Sequence, residues 1–398
     1  MEDHARTSLI AAQSRRGIVG GLAAGLALPF VSRRAWAQSR QGQARHAYSG
    51  CYTTPARNGR GIGICAFHVD SDTGRLQQFQ ELPLVNPSFL ITARGGRLIY
   101  AVHGDQDYLT TLARDPENGR VSVIGEAATG GFNGVHAAAD PSGHFILVAN
   151  FASGTVAVMP LREDGTARNP VQLVDLKAAA GAIRLEWNGR LRSEAPHPHQ
   201  VVFDPTGTFV AVPDKGLDRT FTFRFDAQAG RLGDKPHIAR ARPGAGSRRL
   251  IFSATRPVAW GLNETGSTLN TYRWDALTGE LTPAQLVSST REDHTGDNGA
   301  AELALLNERY LYCSNRGSDD IGLFAVADDG LLKPLGWTSS GGRSPRFIGF
   351  EPTGRRLYAC NEDTDTVVAL RIDEATGGLQ QAGGSVQTGS PVTLVFAA

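Results

Sequence analysis

The sequence predicts an all-β chain folded as a seven-bladed β-propeller. Three observations predict it: a turn motif recurring seven times, an alternating apolar stretch before the copies, and two half-repeats at the ends of the array. The motif is Asp-x-x-x-Gly-x-Leu or a close variant, as in Asp70 to Leu76, Asp115 to Val121, Asp226 to Leu232, Asp275 to Leu281 and Asp373 to Leu379. Shorter copies stand at Asp164-Gly165 and Asp329-Gly330-Leu331, and successive glycines lie 45, 46, 65, 49, 51 and 47 residues apart. A fixed period of this length means an array of one supersecondary unit. The motif follows stretches such as Thr220 to Phe225 and reads as a hairpin turn, with Asp accepting backbone hydrogen bonds and Gly supplying the positive φ.

The elements follow in chain order. Residues 1–37 read as an export signal. Ser14-Arg15-Arg16-Gly17 precedes a Gly/Ala/Leu-rich stretch from Gly20 to Pro29, and Ala35-Trp36-Ala37 fits a small-x-small cleavage site. The paired arginines resemble a twin-arginine signal, which implies a periplasmic or secreted protein. Residues 38–46 are expected as a linker and 47–398 as the propeller. Ala47 to Cys51 reads as a second strand without its first, and Ser390 to Phe396 as a first strand with nothing after it, so the two should share one blade. Between them most repeats open on a strand after Pro or a small residue (Asn86-Pro87-Ser88, Ser344-Pro345-Arg346). Several then turn through Asp-Pro-x-Gly or its like (Asp140 to Gly143, Asp204 to Gly207, Glu351 to Gly354), and the second strand ends in a polar group (Asn150, Asn315, Asn361). Four short strands per unit match a propeller blade. The long interval places an insertion between Val171 and Pro196, expected as a loop on a blade face.

Composition narrows the partners. With 398 residues, formal net charge +1 and 20% charged residues, the chain lacks the basic character of a nucleic-acid binder. After the leader no apolar run reaches the length of a membrane span, and the mature protein is expected as a monomer. Cys51 and Cys65 flank a Gly-rich turn, so either a disulfide or two free thiols is open. Cys313 and Cys360 stand one place out of step in their repeats and should face opposite ways.

Propeller geometry brings the loop entering each first strand and the loop leaving each second strand to one face of the disc. Polar residues at those places are Asn86, His103, His136, Asn150, His197, His199, Asp214, Arg248, Arg249, Glu264, Glu302, Asn315, Arg316, Arg346, Asn361 and Glu362. A ring of arginines, histidines and carboxylates suits an anionic substrate and proton transfer. Pro196-His197-Pro198-His199, Ala301-Glu302-Leu303, Ser314-Asn315-Arg316-Gly317 and Ser344-Pro345-Arg346-Phe347 together resemble the lactonase family of seven-bladed propellers. That family includes propeller-type bacterial 6-phosphogluconolactonases and fungal 3-carboxy-cis,cis-muconate cyclases.

The resemblance implies a lactone hydrolase acting on an anionic sugar-acid or related lactone. It leaves two alternatives, a muconate-type lactonizing cycloisomerase and a non-catalytic exported binding module. By motif, the cyclases' His, Arg, Glu and second Arg fall on His199, Arg248, Glu264 and Arg316, while Glu302 and Arg346 match further polar positions. His199 is then the base, with Glu264 or Glu302 as alternative or partner, and Arg248, Arg316, Arg346 and His197 bind substrate. Each has a structural reading too: bridging arginines, a Glu264 in a plain turn, and a Glu302 ion-paired to Arg316 or Arg346. The chain departs from the family at Gly246-Ser247-Arg248-Arg249, Val102-His103-Gly104 and Ser253 to Pro257. It contains no His-x-Glu-x-x-His, Cys-x-x-Cys or Gly-x-Ser-x-Gly, so the sequence calls for no metal, cofactor or serine nucleophile.

Overall fold

The computed structural model describes residues 45–397, apart from 182–184, 188–189 and 193–194. The expected leader, its cleavage site and most of the linker lie outside these residues. Among the described residues the main strands form seven sheets arranged as propeller blades. Strands are lettered A to D from the axis outward. Blade 1 joins both ends of the chain: Pro391–Ala397 is its strand A, and His46–Cys51, Gly63–Val69 and Leu76–Pro83 follow. The expected closure is therefore observed, with Tyr48 opposite Val395 and Ser49 opposite Leu394 in an antiparallel ladder. Closing the ring this way covers the inner edge of His46–Cys51, which would otherwise lie open.

Blades 2, 3, 5, 6 and 7 each place four consecutive strands in order, beginning at Pro87–Ala93, Gly134–Ala139, Ser247–Phe252, Gly299–Leu306 and Pro345–Phe350. Blade 4 differs. Its strand A shrinks to Val202–Phe203, and its fourth strand is split into Arg231–Leu232 and His237–Arg240. The long insertion, expected as a loop, begins with the helix Leu176–Ala180, capped by the Asp175 side chain on Lys177 N–H, and carries a small ribbon pairing Leu185–Trp187 with Arg190–Arg192.

Two local devices recur at the interfaces between blades, the first at all seven and the second at five. The first is the hairpin motif: Asp70 Oδ1 accepts from the amides of Asp72 and Thr73, Asp373 Oδ1 from those of Ala375 and Thr376, and the seven hairpin glycines have φ between 63° and 91°. The second is an aromatic donor in strand B that reaches the hairpin glycine of the following blade. Tyr48, Tyr100, Tyr312 and Tyr358 donate to the carbonyls of Gly119, Gly165, Gly377 and Gly74 at 2.6–2.8 Å, and Trp260 donates to Gly330 at 2.9 Å. These glycines also have no room for a side chain: a Cβ at Gly119 would lie 2.4 Å from the His46 ring. Further out, strand-D glutamines repeat one pattern. Gln80, Gln172 and Gln285 each exchange two hydrogen bonds with the backbone of Val121, Leu232 and Leu332, which lie at or just after the end of the next blade's motif.

The buried apolar side chains fall into seven clusters, one at each blade interface. All four cysteines are buried free thiols. Of the two possibilities for Cys51 and Cys65 the structure has the thiols: Ser49 is the residue opposite Cys65, and Cys51 Sγ–H donates to Gly63 O at 2.8 Å. Cys313 faces blade 5 and Cys360 faces blade 1, the opposite directions expected from their offset.

Candidate active site at the mouth of the channel

The strands place functional side chains by one repeated irregularity. Where strand A meets strand B near the mouth, the register shifts by an extra residue between Pro87 and Phe89, Gly134 and His136, Ser247 and Arg249, Ala300 and Leu303, and Pro345 and Phe347. A corresponding shift lies opposite Thr393 and Pro391 in blade 1. Such a bulge takes a residue out of the ladder and re-aims its side chain. The skipped residues Ser88, Val135, Arg248, Arg346 and Val392 line one pocket, together with Tyr52, Phe89, His199 and Arg249. Its free volume is small, about 20 Å³.

Four of the expected residues form a continuous hydrogen-bonded chain. Arg248 donates through Nη1 to His199 Nε2, through Nε to Ala301 O at 2.6 Å, and pairs with Glu264 at 2.7 Å. Glu264 also receives Arg316 and Lys215, each at 2.8 Å. Burial alone would raise the Glu264 carboxyl, but Arg248, Arg316, His199 and Lys215 outweigh it and hold the group far below the usual carboxylate range. Glu264 is therefore a fixed anion. Arg316 is pushed down to about 10, by burial first and then by Arg248 and Arg346, and stays cationic at neutral pH.

His199 is almost fully buried and its pKa lies well below the ordinary histidine value, through burial first and then through Arg248 and Arg249. A guanidinium offers only donors, so Nε2 accepts and the ring proton resides on Nδ1. That Nδ1 finds no partner among the described residues.

The remaining expected residues sit differently. Glu302, expected to pair with Arg316 or Arg346 if structural, pairs instead with Arg249 at 2.9 Å and accepts from Leu303 N–H. Arg249 in turn lies 5.1 Å over the Phe89 ring and donates to His199 O. Arg346 lines the pocket and pairs with Glu362 at 3.2 Å; burial would lower its pKa, but Tyr52 and Glu362 raise it. His197 leaves the group. It stacks on Phe151 at 4.6 Å, bonds Phe151 O, and faces a separate surface cavity of about 420 Å³ with Lys215 and Asp218.

Several members of the polar ring are structural. Asn150 and Asn361 bond backbone carbonyls and the threonines that open the next strand, while His103 is held between Val85 O and Thr110 Oγ1. Asp214 is buried with its pKa raised to about 6 by burial, and caps Leu217 N–H. His136 is buried against Phe89, with a pKa well below the ordinary value through burial and the two arginines. Two participants were missed, Lys215 and Tyr52. Both directly follow a strand B, as Glu264 and Glu362 do, while Arg316 is the last residue of its own strand B.

The seven sheets make a propeller, and the arginine-lined pocket lies where its innermost strands end. The chain belongs to the lactonase family of seven-bladed β-propellers, whose family model matches residues 46–396. Among its relatives is a 6-phosphogluconolactonase of Bacillus subtilis, 28% identical over 354 residues, covering 88% of this chain and 97% of that protein. Another is a 6-phosphogluconolactonase of Formosa agariphila, 25% identical over 331 residues, covering 81% of this chain and 91% of the relative. Among solved structures, a periplasmic gluconolactonase of Pseudomonas aeruginosa superposes with a TM-score of 0.78 at 28% identity, covering 89% of this chain and 99% of that one. Among the described residues no helix is long and apolar enough to cross a membrane, and no group of His, Cys, Asp and Glu could hold a metal ion.

Proposed function

We propose that the protein is a lactone hydrolase acting on an anionic sugar-acid lactone. The observation that carries this reading is the linked group His199–Arg248–Glu264–Arg316 beside Arg346 at one pocket. Around that pocket the cations Lys215, Arg248, Arg249, Arg316 and Arg346 outnumber the carboxylates Glu264, Glu302 and Glu362, which favours a ligand carrying negative charge. Hydrolysis needs a base for water and donors for the oxyanion. Glu264 is occupied by three cations and serves as their anchor; Glu302 orients Arg249. His199 is the neutral group left. When bound substrate draws the Arg248 guanidinium, Nε2 takes a proton from water as the water adds to the lactone carbonyl. The ring C–O bond then breaks with its electron pair on the ring oxygen, which receives that proton. The relatives named above carry hydrolase names, which favours opening over closure.

A pH-stat assay of sugar-acid lactones tests this. The wild-type chain should release acid, and His199→Ala should lower kcat by about 10²–10⁴ while KM moves little. A wild-type protein that opens none of them sinks the reading. Export belongs to the same reading: Arg15-Arg16 and Ala35-Trp36-Ala37 support it, and a periplasmic protein is among the structural relatives. Replacing both arginines by lysine should leave uncleaved precursor in the cytoplasm; unaltered periplasmic yield would remove the twin-arginine route.

A further inference from the structure

Tyr52 lines the pocket and is held by more charged groups than a wall residue needs. It directly follows strand B of blade 1 and is 3% exposed. The guanidinium carbons of Arg57 and Arg346 each lie 5.2 Å from its ring centroid. Each cation is anchored by a carboxylate of its own, Arg57 on both oxygens of Asp105 at 2.6 and 2.5 Å, and Arg346 on Glu362. The backbone beyond the ring is fixed as well: Asn86 Oδ1 accepts from Thr53 N–H at 2.7 Å and Thr54 N–H at 3.1 Å. The phenol oxygen is thus positioned from several sides.

Its hydrogen bond has one possible polarity. Arg346 Nη2 stands 3.0 Å from the Tyr52 oxygen, and a guanidinium can only donate, so the phenol accepts. The phenol's own hydrogen is left over, and among the described residues it is donated to no protein group. Of the other polar groups lining the pocket, Ser88 is committed to Gly134 O, Arg249 to Glu302, and Arg248 to Glu264, His199 and Ala301 O, while His199 keeps its Nδ1 without a partner among the described residues.

We infer that Tyr52 is a catalytic residue whose O–H donates a hydrogen bond to the carbonyl oxygen of the bound lactone as that oxygen becomes an oxyanion. The inference rests on the hydrolase reading. Tyr52 and Arg346 then converge on one point, a neutral donor and a cationic donor side by side. Phe89, Val135 and Val392 complete the same wall and keep it dry, which strengthens donors aimed at developing charge. No proton changes owner at Tyr52; the phenol is polarised by the guanidinium on its lone pair and returns to its resting bond when product leaves.

The test is Tyr52→Phe, which keeps the ring against both guanidiniums and leaves Arg346 on Glu362. On the lactone the wild type opens fastest, kcat should fall about 10²–10³-fold, as for loss of one oxyanion donor, with KM within a few-fold and an unchanged melting temperature. Calorimetry with sulfate as an anion probe should show roughly tenfold weaker binding in the variant. A kcat equal to wild type overturns the assignment. If the wild type opens no lactone, the hydrolase reading fails separately. Equal sulfate affinities then overturn Tyr52 as a donor, and weaker binding in the variant supports it.

Discussion

Glu264 shows at the scale of one residue how the site stores its charge. Its carboxylate is 12% exposed and answers three cations at once. Replacing it by Gln strands those cations, and breaking a buried pair costs about 3–5 kcal/mol. Glu264→Gln should therefore melt well below wild type at pH 7, as read by thermal denaturation. The pH dependence has a defined sign. The Glu264 pKa is depressed on folding, so its stabilisation is fully present above the unfolded carboxylate value near 4.3 and is lost only as pH falls towards its much lower folded value. The gap between wild type and variant should hold constant from pH 8 to 5 and narrow only in stronger acid. His199 and His136, also depressed on folding, act in another window. Below about pH 6.5 the unfolded chain binds protons that the native state refuses, so both proteins should lose stability in parallel from there downward. A gap that closes already at pH 6 would show that Glu264 is not the fixed anion described. His199, Arg248, Glu264 and Arg316 were legible because motif and position agree. His197 misled because it stands beside His199 in one motif, Pro196-His197-Pro198-His199. Pro198 meets Asp214 in a single isolated bridge there, and His197 instead turns to Phe151.

At the scale of elements the hairpins were the readable part. A turn that needs an acceptor at its start and a positive φ at its end leaves two fixed letters, and the glycine also serves the contact with the preceding blade. The aromatic donors of strand B were less legible, since blades 3 and 4 replace them: there Phe145 and Phe209, two places earlier, lie against Gly230 and Gly279. The bulges were invisible. One extra residue in a six- to eight-residue strand leaves no special composition behind; Ser88, Val135, Arg248, Arg346 and Val392 share no chemistry. Tyr52 and Lys215 escaped for a related reason. Their position is defined by the strand end before them, not by residue type, and the polar mark of that end is missing at Cys51.

At the scale of the molecule the N- and C-terminal strands are bound to the chemistry, because blade 1 supplies both Tyr52 and Val392 to the pocket. Deleting residues 391–398 removes the strand that pairs with His46–Cys51 and exposes the interfaces of blades 7 and 2. Such a truncation should lose both cooperative melting and lactone opening. A soluble, fully active product would disprove that this strand closes the ring. Seven blades and their closure were evident from the spacing of glycines and the two half-repeats, whereas the helix and ribbon in the insertion were not, since nothing repeats there.

The skipped residues of the inner strands carry one more consequence. A side chain outside the ladder owes nothing to its neighbours across the sheet, so its identity can change while every strand pairing stays as it is. Ser88, Val135, Arg248, Arg346 and Val392 are such positions, one in each of five blades, all turned to the same small volume. Relatives built on this disc can diverge in what they accept by single exchanges around the rim. The scaffold that holds those exchanges need not adapt, and selectivity evolves separately from folding.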